Sequence, residues 1–127
     1  MKNIIYKIHQ DIEKERFMIK QKERKQNRLK MKHGDKSAVL KGLKGGLCDN
    51  YCGICCAVKY NMKDEDIIAA LKELQKDTRI SMGMCNAQFA SAALDVLGIE
   101  PYTGSDKRTR EMIAAKFSFF DENDLHD

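Results

Sequence analysis

Residues 3–32, NIIYKIHQDIEKERFMIKQKERKQNRLKMK, contain no glycine or proline and consist mostly of residues that lose little on entering a helix. They predict one long helix. Ile5, Ile8, Ile12 and Ile19 recur at heptad spacing, but the next seam positions are Lys22 and Gln26, so the apolar stripe stops about halfway. The first half can therefore dock on something apolar. Two surfaces fit: the rest of the chain, or a second copy, which would give a homodimer with two basic arms. In the second half Lys20, Lys22, Arg24, Lys25, Arg28, Lys30 and Lys32 face a single acid, Glu23. Internal ion pairs cannot balance such a run, and the helix is cationic all round.

Beyond this helix the punctuation is dense. His33-Gly34 ends it, and Asp35 or Ser37 can cap a short helix through Ala38, Val39, Leu40 and Leu43 that stops at Gly45-Gly46. A further helix is expected to open at Asp49 or Asn50 and run to Tyr60, with Tyr51, Ile54, Cys55 and Val58 on one face. Ile67, Ile68, Leu71 and Leu74 mark the next. Another begins near Asn86 and carries Phe89, Ala90, Ala93, Leu94 and Leu97; Gly98, Ile99 and Pro101 end it. Ser105 or Asp106 caps a last helix bearing Met112, Ile113, Lys116 and Phe117, with Phe119 and Phe120 just beyond. The nearest strand candidate, Arg79-Ile80-Ser81-Met82, is too short to count. The expected fold is all-α, a compact bundle of four or five short helices preceded by a long basic N-terminal helix. The expected division is a basic arm at 1–34, a helical body at 35–120 and an acidic tail at 121–127.

Composition agrees with one domain. The chain has 127 residues, 33% of them charged and 43% hydrophobic, a balance that fits a globular protein rather than a collagen-like or disordered one. No apolar run approaches the ~18 residues of a spanning helix, and Lys7, His9 and Asp11 interrupt any signal-peptide core. Five cysteines, four of them crowded into Cys48, Cys52, Cys55 and Cys56 and the fifth at Cys85, make a poor disulfide framework and fit reduced thiols in a cytoplasm. Charge is divided unevenly. Residues 1–46 hold 14 Lys and Arg against 5 Asp and Glu, net +9; residues 47–127 hold 9 against 14, net −5, giving the overall +4.

The cysteine cluster carries several resemblances. Cys52-Gly53-Ile54-Cys55-Cys56-Ala57-Val58 resembles the Cys-Gly-Ser-Cys-Trp-Ala segment of papain-like thiol peptidases, which implies Cys55 as a nucleophile opening a helix. A broader similarity, to the leader-processing thiol peptidases of bacteriocin exporters, runs through residues 64–74 to 90–99 and implies Cys52 instead. Both families use a downstream histidine, and after Cys56 this chain has only His126. Cys52-x2-Cys55 also has zinc-ligand spacing, with Cys48, Cys56 or Cys85 to complete a set. Cys48-x3-Cys52-x2-Cys55 is similar to the cluster motif of radical S-adenosylmethionine enzymes, whose barrel needs strands and length that this chain lacks. Packing of small buried thiols is the plainest reading, and no metal or cofactor is expected.

The basic arm is the main functional signal. Lys20, Lys22, Arg24, Lys25, Arg28, Lys30 and Lys32 can lie along phosphates and release counterions, so the expected partner is nucleic acid or an acidic protein surface, with no membrane involved. No aromatic residue lies between Lys20 and Lys32 to stack on bases. Residues 90–99 and 103–113 are similar to a helix-turn-helix, although their connection is longer than the usual turn. The expectation is a small non-enzymatic regulatory or binding protein, of a size and charge that suit a phage or mobile element. A cysteine-centred protein is the alternative.

Overall fold

The computed structural model describes residues 2–81 and 84–115. Six helices make up most of it: α1 (Lys2–Lys32), α2 (Lys36–Leu43), α3 (Leu47–Lys59), α4 (Glu65–Leu74), α5 (Asn86–Val96) and α6 (Lys107–Ala114). Their ends have local causes. Gly34 takes φ +85°, its N–H bonds Met31 O at 3.0 Å and the Asp35 N–H bonds Lys30 O at 3.1 Å, so the last carbonyls of α1 are satisfied. Asp35 then caps α2, its carboxylate accepting the Ala38 N–H at 3.1 Å. Gly98, at φ +79°, repeats the stop behind α5: its N–H reaches Asp95 O and the Ile99 N–H reaches Leu94 O, both at 2.9 Å. Asp106 caps α6 by accepting the Arg108 N–H at 2.9 Å.

Three expectations need correction or limits. Helix α3 opens at Leu47 behind Gly46, ahead of the expected Asp49 or Asn50, because the Asn50 side chain is engaged elsewhere. The segment that looked too short for a strand does pair: Ile80–Ser81 lies antiparallel to Met84–Cys85, with Ile80 opposite Cys85. A bond from the Ala87 N–H to Asp77 O, 3.1 Å, draws the two ends of this ribbon together. Helix α6 ends at Ala114, so Lys116, Phe117, Phe119, Phe120 and the acidic tail lie outside the described residues.

The core gathers around α3, where every residue from Asn50 to Val58 is buried. Tyr51 sits edge-on to Phe89 of α5, ring centroids 5.0 Å apart, and Val39, Ile67, Leu71, Leu94 and Ile113 bring in the other body helices. Met31, fully buried, is the contribution of α1. Gly53 lets α2 and α3 approach closely, since a Cβ there would lie 3.1 Å from the Leu43 side chain and 3.2 Å from its backbone nitrogen.

A buried amide joins three of these elements. Asn50 Nδ2 donates to the carbonyls of Gly42, Leu43 and Gly45 at 2.9, 3.0 and 3.1 Å, and its Oδ1 accepts from Asn86 Nδ2 at 3.0 Å. The end of α2, its exit loop and the start of α5 are thereby tied to α3. On the far side, Asp95 accepts the Tyr102 N–H at 2.7 Å and meets Arg110 at 3.1 Å, which fixes the connection between α5 and α6.

Asn50→Ala leaves the carbonyls of α2 and its exit loop unpaired in the interior and should lower unfolding stability by about 2–4 kcal/mol, read as a fall in the urea midpoint at constant slope. A change of a few tenths would show that water replaces the amide. The Tyr102 amide, then Arg110, holds the Asp95 carboxyl below its usual range. Its stabilisation is complete above the unfolded value near ~4 and is lost as pH falls through the lower folded value. The stability of Asp95→Asn should therefore depend less on pH below ~4 than that of the native chain, and parallel stability curves would remove the carboxylate from that role.

Candidate functional site

Residues 3–24 of α1 are exposed on every side, and burial begins only at Lys25. The helix projects from the body for about 33 Å, at ~1.5 Å per residue. Ile5, Ile8, Ile12 and Ile19 remain 69, 54, 42 and 51% exposed, so the seam does not dock on the chain's own body. Of the seven cations named from sequence, Lys20, Lys22, Arg24 and Lys30 are exposed, while Lys25, Arg28 and Lys32 are half-buried. Arg28 turns inward to Asp49 at 3.4 Å. Lys32 lies beside Cys52 and Cys56 at the foot of the helix.

The structure brings to the arm a cation that the run did not include. Lys20 and Arg24 line a cleft of about 210 Å³ together with Lys41 of α2 and with Gly42, Gly45 and Gly46. Glu23, Asn27 and Asp49 complete the lining, and Asp49 is already held by Arg28. Gly46 begins α3 without a side-chain cap, so the positive end of that helix faces the same loop. Only the folding of α2 back along α1 brings Lys41 here. Lys107 and Arg108 of α6 are exposed as well, but Arg108 pairs with Asp106 at 3.4 Å.

The cysteines occupy different ground. Cys52, Cys55 and Cys56 are buried in the face of α3, Cys48 is exposed and Cys85 partly so. The Cys52 thiol, hydrogen-bonded to Cys56 one turn on and shut away from water, is pushed well up, while the same hydrogen bond, with Lys59 and Lys32 nearby, holds Cys56 below the ordinary thiol value. Burial pushes Cys55 up to about 12, against a hydrogen bond with Tyr51 that lowers it. A nucleophile or metal ligand acts as thiolate, and this interior favours the thiol at Cys52 and Cys55. His9 and His33 are exposed, and His126 lies outside the described residues. Asn50, two residues before Cys52, gives its side-chain amide to α2. Among the described residues no group of three or more His, Cys, Asp and Glu side chains is placed to hold a metal ion.

No known protein family matches this chain, and neither a curated protein nor a solved structure is similar to it. None of the described helices is long and apolar enough to cross a membrane.

Thiol labelling checks the burial directly. Cys48 should react with a maleimide at once, Cys85 more slowly, and Cys52, Cys55 and Cys56 only under denaturing conditions. Rapid native modification of Cys52 or Cys55 would reopen the peptidase-like reading.

Proposed function

We propose that the protein is a small non-enzymatic binding protein whose cationic helix engages the phosphate backbone of nucleic acid. The observation that carries this reading is the convergence of Lys20 and Arg24 with Lys41 on one cleft, at the base of a helix exposed to solvent. From Lys20 to Lys30 the helix covers roughly 15 Å, and duplex DNA offers one phosphate charge per ~1.7 Å of axis, so several contacts fit without bending either partner. The α3 start beneath Gly46 adds amide dipoles of the sign that attracts phosphate. Recognition of this kind is blind to base identity, because cations on phosphates fix register without reading the groove. Tyr6, far out on α1, and Phe17, one turn before Lys20, do not line the cleft itself.

The test is a set of salt-dependent binding isotherms on random-sequence duplex. Lys20→Gln, Arg24→Gln, Lys30→Gln and Lys41→Gln, combined, change only exposed side chains. They should weaken binding equally for all sequences and reduce the slope of log affinity against log salt by about three to four. Native affinity for an acidic polypeptide but none for duplex or single strands would overturn the nucleic-acid reading in favour of an acidic protein partner. An unchanged slope would take the cleft out of the interface.

A further inference from the structure

The isoleucine stripe of α1 is left uncovered, yet the charged residues within it specify what can cover it. Ile5, Ile8, Ile12 and Ile19 occupy heptad seam positions together with Glu15 and Lys22. At 3.6 residues per turn this seam lies roughly a quarter-turn from Asn27 and Met31, which face the body, so the body neither covers nor obstructs it. Four adjoining isoleucines on a projecting helix form an apolar surface of the kind that marks a contact site.

We infer that a second copy of this chain covers the stripe, the two α1 helices running antiparallel with Ile12 of each opposite Glu15 of the partner subunit. Three observations select this occupant and direction. The first is length. With that register residue 3 falls opposite residue 24 of the partner subunit, so the overlap uses the whole exposed segment and stops where each body begins. The contact closes on itself by a two-fold axis.

The second is the content of the seam. In a parallel pair Glu15 would meet its own copy and Lys22 its own copy, placing like charges in the contact. In the antiparallel pair Ile8 meets Ile19, Glu15 meets Ile12 and Lys22 meets Ile5. Each charged residue then lays its stem on an isoleucine and sends its head to water.

The third is the charge of the two halves. Residues 20–32 carry seven cations and one acid, whereas residues 3–16 carry Lys7, Lys14 and Arg16 against Asp11, Glu13 and Glu15. Antiparallel pairing sets the cationic half of each helix beside the balanced half of the other, and parallel pairing sets the two cationic halves together. This inference does not rest on nucleic-acid binding.

Sedimentation of the full chain over a concentration series tests it, with Ile12→Glu and Ile12→Lys alongside. Ile12 makes no core contact, so both variants should keep the helical circular dichroism of the native chain. The native chain should dimerise. Ile12→Glu faces Glu15 of the partner subunit and should dissociate, while Ile12→Lys, facing the same carboxylate, should hold the dimer at least roughly tenfold more tightly than the Glu variant. A native chain that stays monomeric up to about 200 µM overturns the inference, because a weaker pair has no stable interface. Equal loss in the two variants overturns the antiparallel register, since in a parallel pair residue 12 meets its own copy and either charge repels. A dimer that neither variant disturbs removes the seam from the contact.

Discussion

The side-chain amide of Asn50 is the constraint on which the body depends. Its NH₂ group serves carbonyls at the end of α2 and in the loop behind it, and its oxygen holds Asn86 at the start of α5. With 3% of its surface exposed, Asn50 has little access to water that could replace those bonds. Leucine or cysteine at this position would pack as well and leave α2 without an anchor. The cost appears on Asn86, whose Oδ1 is buried without a hydrogen-bond partner among the described residues. A polar hub of this kind fixes one arrangement of helices where greasy faces alone would allow several. In a core filled with Ala90, Ala92, Ala93 and small thiols, such direction is needed.

The position of α1 follows from that arrangement. Asn50 holds α2 in place, and α2 together with α3 forms the bed on which Met31, Arg28 and Asn27 lie. The Tyr60 hydroxyl donates to Lys32 O and clasps the last turn from the other end of α3. Function and fold thus divide α1 between them. In its final two turns Asn27, Arg28 and Met31 pack on the body, and residues 3–24 before them are exposed.

The sequence announced helix ends wherever the signal was local. Gly34 and Gly98 each take the left-handed conformation that only their own backbone requires, and Asp35 and Asp106 each cap the helix directly after them. It misled where a side chain serves a distant element. Asn50 looked like a cap because asparagine usually is one, but its amide spans to α2 and α5, and α3 therefore starts without it. The Ile80–Ser81 stretch reads as too short for a strand because its pairing is closed by the Asp77–Ala87 bond, which no alternation in the sequence encodes. The charge run was plain to read; its division was not. Arg28 and Lys32 look the same as Lys22 in sequence, and only the packing of α1 on α3 turns the first to Asp49 and sets the second beside Cys52. Lys41 belonged to no run, and three-dimensional proximity alone brings it to the cleft.

Helix α1 has no glycine, proline or break from residue 2 to residue 32, and it is gripped only near its last two turns. Mechanically this is a stiff rod clamped at one end. With about 33 Å of free length, a tilt of ~10° at the clamp moves the tip by roughly 6 Å, so any event that shifts α2 against α3 is magnified at the N-terminus. The clamp and the cleft share Gly42 and Asp49, so the pivot of this lever lies in the cleft wall.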